Sequence, residues 1–156
     1  MSAGPDAGGP QAGAAHVGDL AIVLHSHMPY VEGFGTYPFG EEWLFDAVIR
    51  SYVRLLPLVA DLTMTVTPVL ADQLEAPGVA PRLLEFTRSF RVGSARLDEG
   101  EMPTPELRAA CGAEAERYES VLVELERRDG DLIGAFAEAQ RARRVELIAS
   151  SATHAV

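Results

Sequence analysis

The sequence predicts a parallel α/β fold, because three short β-forming segments are separated by stretches with helical periodicity. These segments are Leu20–Leu24, Thr63–Thr67 and Val145–Ala149. Strand, helix, strand, helices and strand is an order typical of a parallel sheet or barrel. Three parallel strands do not close a barrel, and an open sheet of three leaves edges that should pair. We therefore expect the 156 residues to be part of a larger α/β domain, which commonly runs to about 250 residues.

The first strand and the first helix are predicted from two apolar patterns. The run L-A-I-V-L is apolar without alternation, as in a parallel strand covered on both faces, and Met28-Pro29 is expected to end it. Pro57 is expected to kink or shorten the helix that follows Gly40. The helix is indicated by one continuous apolar face, formed by Phe45, Val48, Ile49, Tyr52, Leu56 and Val59.

The second strand is predicted at Thr63–Thr67, where threonine alternates with Met64 and Val66, and Pro68 closes it before a short helix or turn. The pattern then weakens between Ala76 and Pro105. We expect an excursion outside the core there, with one short helix at Leu83, Leu84 and Phe86. The interrupting residues are Pro77, Gly78, Pro81, Gly93, Gly100 and Pro103.

Two further helices are predicted before the third strand. Thr104 followed by Pro105 and Glu106 is typical of a helix N-terminus, with a capping hydroxyl, a first-position proline and a first-turn acid. The segment 129–131, D-G-D, is expected to end this helix and to cap the next one. The first of the two helices should bury Leu107, Cys111, Tyr118, Leu122 and Leu125, and the second Leu132, Ile133 and Phe136.

Composition excludes several classes of function. The formal charge of −10 would repel phosphate backbones, and the 13 basic residues, all arginine, are scattered without a stripe, so nucleic acid is not an expected partner. The apolar runs fall short of the ~20 residues that a bilayer span needs, so no membrane partner is expected. The single cysteine fits a reducing, cytoplasmic compartment. Residues 1–18 are predicted to be a flexible tail, rich in glycine, alanine and proline, and residues 19–156 the folded part.

The pair His25 and His27 follows the first strand, where parallel α/β folds place their ligands. Side chains two apart on a strand point to the same face, so both imidazoles are expected to face one site. Two functions remain open for them. A metal-dependent hydrolase would need further ligands, for which Asp61, Asp72 and Glu75 are available. A sugar-processing enzyme would use imidazoles for hydroxyls and aromatics for the pyranose face, and Tyr30, Phe34, Tyr37, Phe39 and Trp43 follow closely.

Several stretches, in order, resemble the glucan branching enzymes of glycoside hydrolase family 57. The first is L-A-I-V-L-H-S-H-M-P-Y-V, followed by Y-P-F-G-E-E-W-L-F-D-A-V and S-Y. T-M-T-V-T-P-V-L-A-D-Q-L resembles the second strand and turn of the family, and V-E-L-I-A-S-S-A-T-H resembles its third strand and site loop. The sequence departs from the family pattern at Arg143-Arg144, where the family tends to place a glycine turn, and in a short link before the second strand.

The resemblance implies a distorted seven-stranded β/α barrel, of which residues 19–156 are the N-terminal portion. It implies a retaining double displacement that makes α-1,6 branches in α-1,4-glucans, without a cofactor or a metal. His25 and His154 would contact the sugar at the cleavage subsite, with His27 beside them. Trp43 would shape the glucan groove, although a tryptophan near a helix start is also typical of a core.

By the same resemblance, the glutamate nucleophile and the aspartate acid/base belong to motifs beyond Val156, so no catalytic residue is expected in this chain. Retaining chemistry needs two carboxyl groups about 5 Å apart, so the chain alone is expected to be inactive, or at best a weak glycan binder. Glu146 matches a family motif, but eight extended residues would place it roughly 26 Å from His154, which favours a structural role. A 4-α-glucanotransferase, an amylase and the metal-dependent hydrolase remain alternatives, and the oligomeric state is open.

Overall fold

The structure is a computed structural model that describes residues 18–35, 40–58, 60 and 62–152. Its strands are β1 (Val23–Ser26), β2 (Leu62–Val66) and β3 (Val145–Ile148). They form one sheet in the order β1-β2-β3, and both pairings are parallel. This confirms the predicted α/β class with three parallel strands, whereas the seven-stranded barrel stays a prediction.

Helices connect the strands, and two of them continue through π-helical segments. The α-helices are α1 (Glu41–Ala47), α2 (Val53–Leu55), α3 (Pro68–Glu75), α4 (Val79–Phe86), α5 (Ser94–Glu101), α6 (Pro105–Glu126) and α7 (Leu132–Arg141). The π-helical segments are Val48–Tyr52, between α1 and α2, and Thr87–Gly93, between α4 and α5. No helix within these described residues is both long enough and apolar enough to cross a membrane.

The prediction for the first strand is wrong by three residues at its start and two at its end. Leu20 is 87% exposed and Ile22 is 50% exposed, so the apolar run is not covered on both faces. The strand is instead defined by its pairing to β2, which joins Val23 to Thr63 and continues to Ser26. His25 therefore lies inside the strand and not after it.

The helix 41–55 matches its prediction closely. It ends at Leu55, two residues before Pro57, because proline cannot continue the helical hydrogen bonding. Its apolar face is buried against the sheet and the later helices. The predicted members that are buried are Phe45, Val48, Ile49, Tyr52 and Leu56, and Val59 lies outside the described residues.

The prediction of an excursion between Ala76 and Pro105 is wrong, because α4, the π-helical segment and α5 form a nearly continuous helix 79–101 that packs along α6. Three arginines tie it to its neighbours by ion pairs, each to a carboxylate on another helix. These pairs are Arg91 with Asp46, Arg88 with Glu126 at 2.7 Å and Arg96 with Glu119 at 2.7 Å. The interior Gly93 keeps helical angles, with φ −59° and ψ −48°.

The predicted helix caps are present. The Thr104 hydroxyl accepts a hydrogen bond from the Leu107 backbone N–H at 3.3 Å, and an Asp131 carboxylate oxygen accepts one from Gly134 at 2.7 Å. The predicted apolar stripe of α6 is only partly right. The buried face of α6 includes the small residues Gly112 and Ala115, which allow α5 to approach. Leu107 is 46% exposed, whereas the buried residues are Gly112, Ala115, Tyr118, Val121 and Leu125.

Candidate functional site

The two faces of the sheet have different surroundings. Paired residues of neighbouring parallel strands share a face, and successive residues alternate between faces. The row Leu24, Met64 and Leu147 faces the helices, and Met64 is fully buried. The alternate residues face the other side, which is open in this chain: Val23 is 58% exposed and Ile148 is 40% exposed. We call the side that carries Val23, His25, Thr63, Thr65, Glu146 and Ile148 the open face.

His25 lies on the open face and is held by the neighbouring strand. Its Nδ1 atom lies 2.6 Å from the Thr65 hydroxyl oxygen, and Thr65 is paired with His25 in the strand register. The hydroxyl can donate to a bare Nδ1 or accept from a protonated one, so the contact exists in either tautomer. It fixes the ring across β2 and leaves Nε2, on the far side of the imidazole, directed away from Thr65.

The two histidines are brought together, as their spacing predicts. The ring centroids of His25 and His27 are 6.4 Å apart, with only 9° between the ring planes. His27 directly follows the last residue of β1, at the carboxyl edge of the sheet. Parallel α/β folds bind their ligands at this edge. The pair therefore forms a short imidazole surface at the position where a ligand is expected.

The loop after the histidines is held by Gln73, a fully buried residue of α3. Its Oε1 atom accepts hydrogen bonds from the backbone N–H groups of Val31, at 2.6 Å, and Glu32, at 3.2 Å. Its Nε2 atom donates to the Pro29 carbonyl at 3.1 Å. The sequence reasoning missed Gln73, because nothing in a helical pattern distinguishes a buried amide from an exposed one.

A partly buried ion pair holds the start of α1. Glu41 is 2% exposed and receives two hydrogen bonds from the Arg82 guanidinium, at 2.9 and 2.5 Å. Arg82 also lies 3.8 Å from a carboxylate oxygen of Glu32, in the loop that Gln73 holds. The same contacts with Glu41 raise the pKa of Arg82. The segment between β1 and α1 is thus fixed at both ends by α3 and α4.

Trp43 lies in the first turn of α1. Because α1 follows the loop that leaves β1, its first turn lies at the carboxyl edge, the edge that carries the histidines. Trp43 is 49% exposed, so it is not part of the core formed by this chain. Tyr30 and Phe34, in the intervening loop, are 51% and 74% exposed. Exposed aromatics at this edge are suited to stacking on a sugar ring.

The remaining candidate residues are placed as follows. His154 lies outside the described residues, as do Tyr37, Phe39 and Asp61. Glu146 is exposed on the open face, and its carboxylate accepts a hydrogen bond from the Thr63 hydroxyl at 3.0 Å. This cross-strand bond is consistent with the structural role that the sequence favours for Glu146.

The metal-dependent alternative would need several ligands in one place. Within the described ranges, no three His, Cys, Asp or Glu side chains are grouped so that they could hold a metal ion. Asp72 and Glu75 are both exposed residues of α3. No observation therefore favours the metal-dependent reading over the sugar-processing one.

The chain matches one protein family over most of its length: the profile of Glycosyl hydrolase family 57 covers residues 21–156. The chain belongs to this family. It is 33% identical over 147 residues to a 1,4-alpha-glucan branching enzyme of Thermococcus kodakarensis, covering 88% of this chain and 21% of that protein. It is 36% identical over 69 residues to a probable 1,4-alpha-glucan branching enzyme of Mycobacterium tuberculosis, covering 38% of this chain and 13% of that protein.

Solved structures of the family are similar to the fold described above. The crystal structure of a GH57-type branching enzyme from Pyrococcus horikoshii gives a TM-score of 0.79 at 34% identity, covering 86% of this chain and 27% of that one. An alpha-amylase from Thermotoga maritima gives 0.78 at 25% identity, with the same coverage. The branching enzymes of Thermococcus and Pyrococcus match most of this chain. The chain spans only about a fifth to a quarter of their length.

Proposed function

We propose that this chain supplies sugar-contacting residues to a 1,4-α-glucan branching enzyme, which cuts an α-1,4 link and rejoins the fragment through an α-1,6 link. The proposal rests on membership of family 57 and on the similarity to branching enzymes in both sequence and structure. In this proposal, the chain is the first part of a longer catalytic domain. A cytoplasmic location belongs to the proposal and rests on the single cysteine.

The observation that carries the proposal is the placement of His25. Its ring is fixed by Thr65 within a parallel strand, next to the edge where such folds bind ligands. An imidazole whose Nδ1 side is fixed presents Nε2 in a constant direction. It can therefore exchange a hydrogen bond with a sugar hydroxyl without first losing rotational freedom, which lowers the entropic cost of binding.

The neighbouring groups support the same role. His27 extends the imidazole surface, because its ring lies nearly parallel to that of His25. Trp43 offers a half-exposed indole at the same edge, and the apolar face of a pyranose packs on such rings. His154 completes the proposed sugar contacts, as the family resemblance implies.

We propose further that this chain alone binds glucan without cleaving it. Retaining transfer uses two carboxyl groups about 5 Å apart, one as nucleophile and one as acid and base. Glu146 is the one carboxylate within the three described strands, and it is hydrogen-bonded to Thr63. The two catalytic carboxyl groups would then come from the rest of the catalytic domain.

An assay of the complete natural protein that carries this chain tests the proposal. Incubation with amylose should lower the absorbance of the iodine complex, and NMR should show new α-1,6 linkages without a matching rise in reducing ends. An unchanged iodine absorbance together with no α-1,6 signal would contradict branching. The structural similarity to an alpha-amylase supports hydrolysis as a second candidate, and reducing ends that rise without branches would favour it. New α-1,4 chain lengths without new branches and without new reducing ends would indicate a 4-α-glucanotransferase.

A further inference from the structure

A concave site lies at the amino edge of the sheet, away from the carboxyl edge that carries the histidines. Arg144 directly precedes β3, and the segment 56–58 follows the helix that leads to β2, so both belong to this edge. Together with the end of α6 they enclose a cavity of about 590 Å³. Pockets for small molecules commonly measure about 300–1,000 Å³. The cavity is thus large enough for a ligand the size of a nucleotide or a sugar phosphate.

The cavity holds more positive than negative charge. Among the described residues, four arginines line it, Arg54, Arg127, Arg128 and Arg144, against one carboxylate, that of Glu124. This excess stands out in a chain of formal charge −10. A local positive field in an acidic protein attracts anions to that place and not to the rest of the surface.

Glu124 does not neutralise all four of the arginines that line the cavity. Its carboxylate accepts hydrogen bonds from Arg127, at 2.5 Å, and from Arg128, at 2.6 Å. Arg128 also pairs with Glu138 at 3.0 Å. In the described part of the chain, neither Arg54 nor Arg144 forms an ion pair with a carboxylate.

Arg144 keeps most of its donors for a ligand. One N–H, on Nη1, donates to the Leu56 carbonyl at 3.1 Å, at the end of the helix 41–55. A guanidinium carries five N–H groups in a planar fork. The contact with Leu56 therefore anchors the side chain at the cavity and leaves further N–H groups for an anion.

The turn before β3 places Arg144 there by an unusual backbone conformation. Arg143 has φ 56°, in the left-handed region that glycine adopts readily and other residues rarely adopt. Two turn hydrogen bonds hold it, from Arg143 N–H to the Gln140 carbonyl and from Arg144 N–H to Ala139, both at 2.9 Å. Strained backbone of this kind tends to occur at functional sites. A glycine would be the ordinary residue at this turn, and the chain has an arginine instead.

The rest of the cavity is apolar. Leu56, Pro57 and Leu58 lie on one side and Val121 on another, and Leu58 is 72% exposed. An anion alone would leave this surface in water. A ligand that carries an anionic group on a larger organic part would cover both the arginines and the apolar residues.

We propose that this cavity binds a small phosphorylated molecule, whose phosphate contacts Arg54 and Arg144 and whose organic part lies on the apolar segment 56–58. Arginine forks pair with phosphate oxygens through parallel hydrogen bonds, and a phosphate can accept from several guanidiniums at once. Arg54 and Leu58 also border the cavity that His25 lines, whereas Arg144 borders the phosphate cavity and not that of His25. The effect of Arg144 on anion binding can therefore fail or succeed independently of the branching activity.

Isothermal titration of the 156-residue chain with pyrophosphate, ADP and adenosine tests the proposal. Pyrophosphate and ADP should bind saturably at one site, more weakly at higher salt, and adenosine should bind at least about tenfold more weakly than ADP. ADP binding tighter than pyrophosphate would support a contribution from the apolar segment. Absence of saturable binding by both anions, or equal binding of adenosine, would overturn the proposal and leave the arginines as groups that cap helix ends.

Substitutions locate the site. Arg54→Gln and Arg144→Gln should each raise the Kd for ADP about tenfold, because each removes charge-assisted hydrogen bonds. Arg141→Gln is the matched control, since Arg141 is exposed at the end of α7 and does not line the cavity. It should change the Kd less than about twofold. Equal effects of the three substitutions would overturn the assignment, because a general charge effect would explain them.

Glu124→Gln separates binding from folding. This substitution removes the carboxylate that occupies Arg127 and Arg128, so it should tighten ADP binding several-fold even though it lowers the melting temperature. A purely structural set of arginines predicts the lower melting temperature with no gain in affinity. Unchanged or weaker binding by this variant would therefore contradict the proposal.

Discussion

The two faces of the sheet are built from alternate residues of the same three strands, yet they differ in burial and in polarity. The face toward the helices carries Leu24, Met64 and Leu147, and Met64 has no exposed surface. The open face carries two polar pairs between neighbouring strands: His25 with Thr65, and Glu146 with Thr63. The buried set supports the fold, and we propose that the function depends on the other set. Substitutions on the two faces should therefore have separable effects.

The largest expected effect on stability is on the covered face. Met64→Ala should lower the free energy of unfolding by about 2–5 kcal/mol, because it removes a buried side chain and leaves a cavity. Val23→Ala, on the open face, is the matched control, and we expect it to change stability by about 0.5 kcal/mol or less. Urea denaturation followed by circular dichroism measures both. Similar losses for the two variants would contradict the assignment of the two faces.

The next effect concerns the loop that links the sheet to α1. Gln73→Leu should cost about 1–3 kcal/mol, because the buried N–H of Val31 and the partly buried N–H of Glu32 lose their acceptor. Hydrogen exchange should show faster exchange at these two amides, while the amides of β2 keep their protection. Gln140→Leu, at an exposed position of α7, is the control and should leave both unchanged. Unaltered exchange at Val31 in the Gln73 variant would refute the role of the amide.

A smaller effect on stability, with a local consequence for the site, is expected at Thr65. Thr65→Val keeps the shape of the side chain and removes the hydroxyl, so the loss should be about 1 kcal/mol. The His25 ring should then lose its fixed orientation, which ¹⁵N NMR of the imidazole nitrogens would report as a changed tautomer mixture. Thr63→Val, on the same strand and face, should leave the His25 signals as they are. Identical His25 signals in the Thr65 variant would show that the hydroxyl does not hold the ring.

The smallest expected effect lies far from both faces, in the pairing of α5 with α6. The hydrogen bonds from Arg96 lower the pKa of Glu119 in the folded chain. The stabilisation by this pair is therefore present above the unfolded pKa of about 4.3 and is lost as the pH falls through the lower folded pKa. Glu119→Gln should reduce the loss of stability in that acid range. The reduction should be slight, because the pair is exposed. An unchanged acid transition in thermal melts would show that the pair contributes nothing.

The parts of the fold that the sequence predicts are those decided by local chemistry. Thr104 and Asp131 cap helices because their side-chain oxygens accept from backbone N–H groups three residues on. Pro57 limits the first helix for an equally local reason. The predicted ends of β2 and β3 lie within one residue of the observed ends, because short segments of β-forming residues next to proline or charged residues mark strands well.

The parts that were missed depend on contacts distant in sequence. The helix 79–101 crosses Gly93 and Gly100 because ion pairs with α1 and α6 hold it, and no local pattern reveals such partners. The shift of β1 toward His25 is set by pairing with β2. For the site, the proximity of the two histidines follows from their spacing along the chain, whereas the roles of Gln73 and Arg82 depend on contacts with residues about 40 positions away.

The most direct test of the central claim is calorimetric titration of the chain with maltohexaose, comparing the unmodified chain with His25→Ala and with Val23→Ala. Both residues lie on the open face of β1, but only His25 is next to the carboxyl edge. We predict saturable binding by the unmodified chain and by the Val23 variant, and a Kd at least about tenfold higher for the His25 variant, from loss of a hydrogen bond to the sugar. Equal affinity of all three proteins would contradict the claim that the imidazole of His25 contacts glucan.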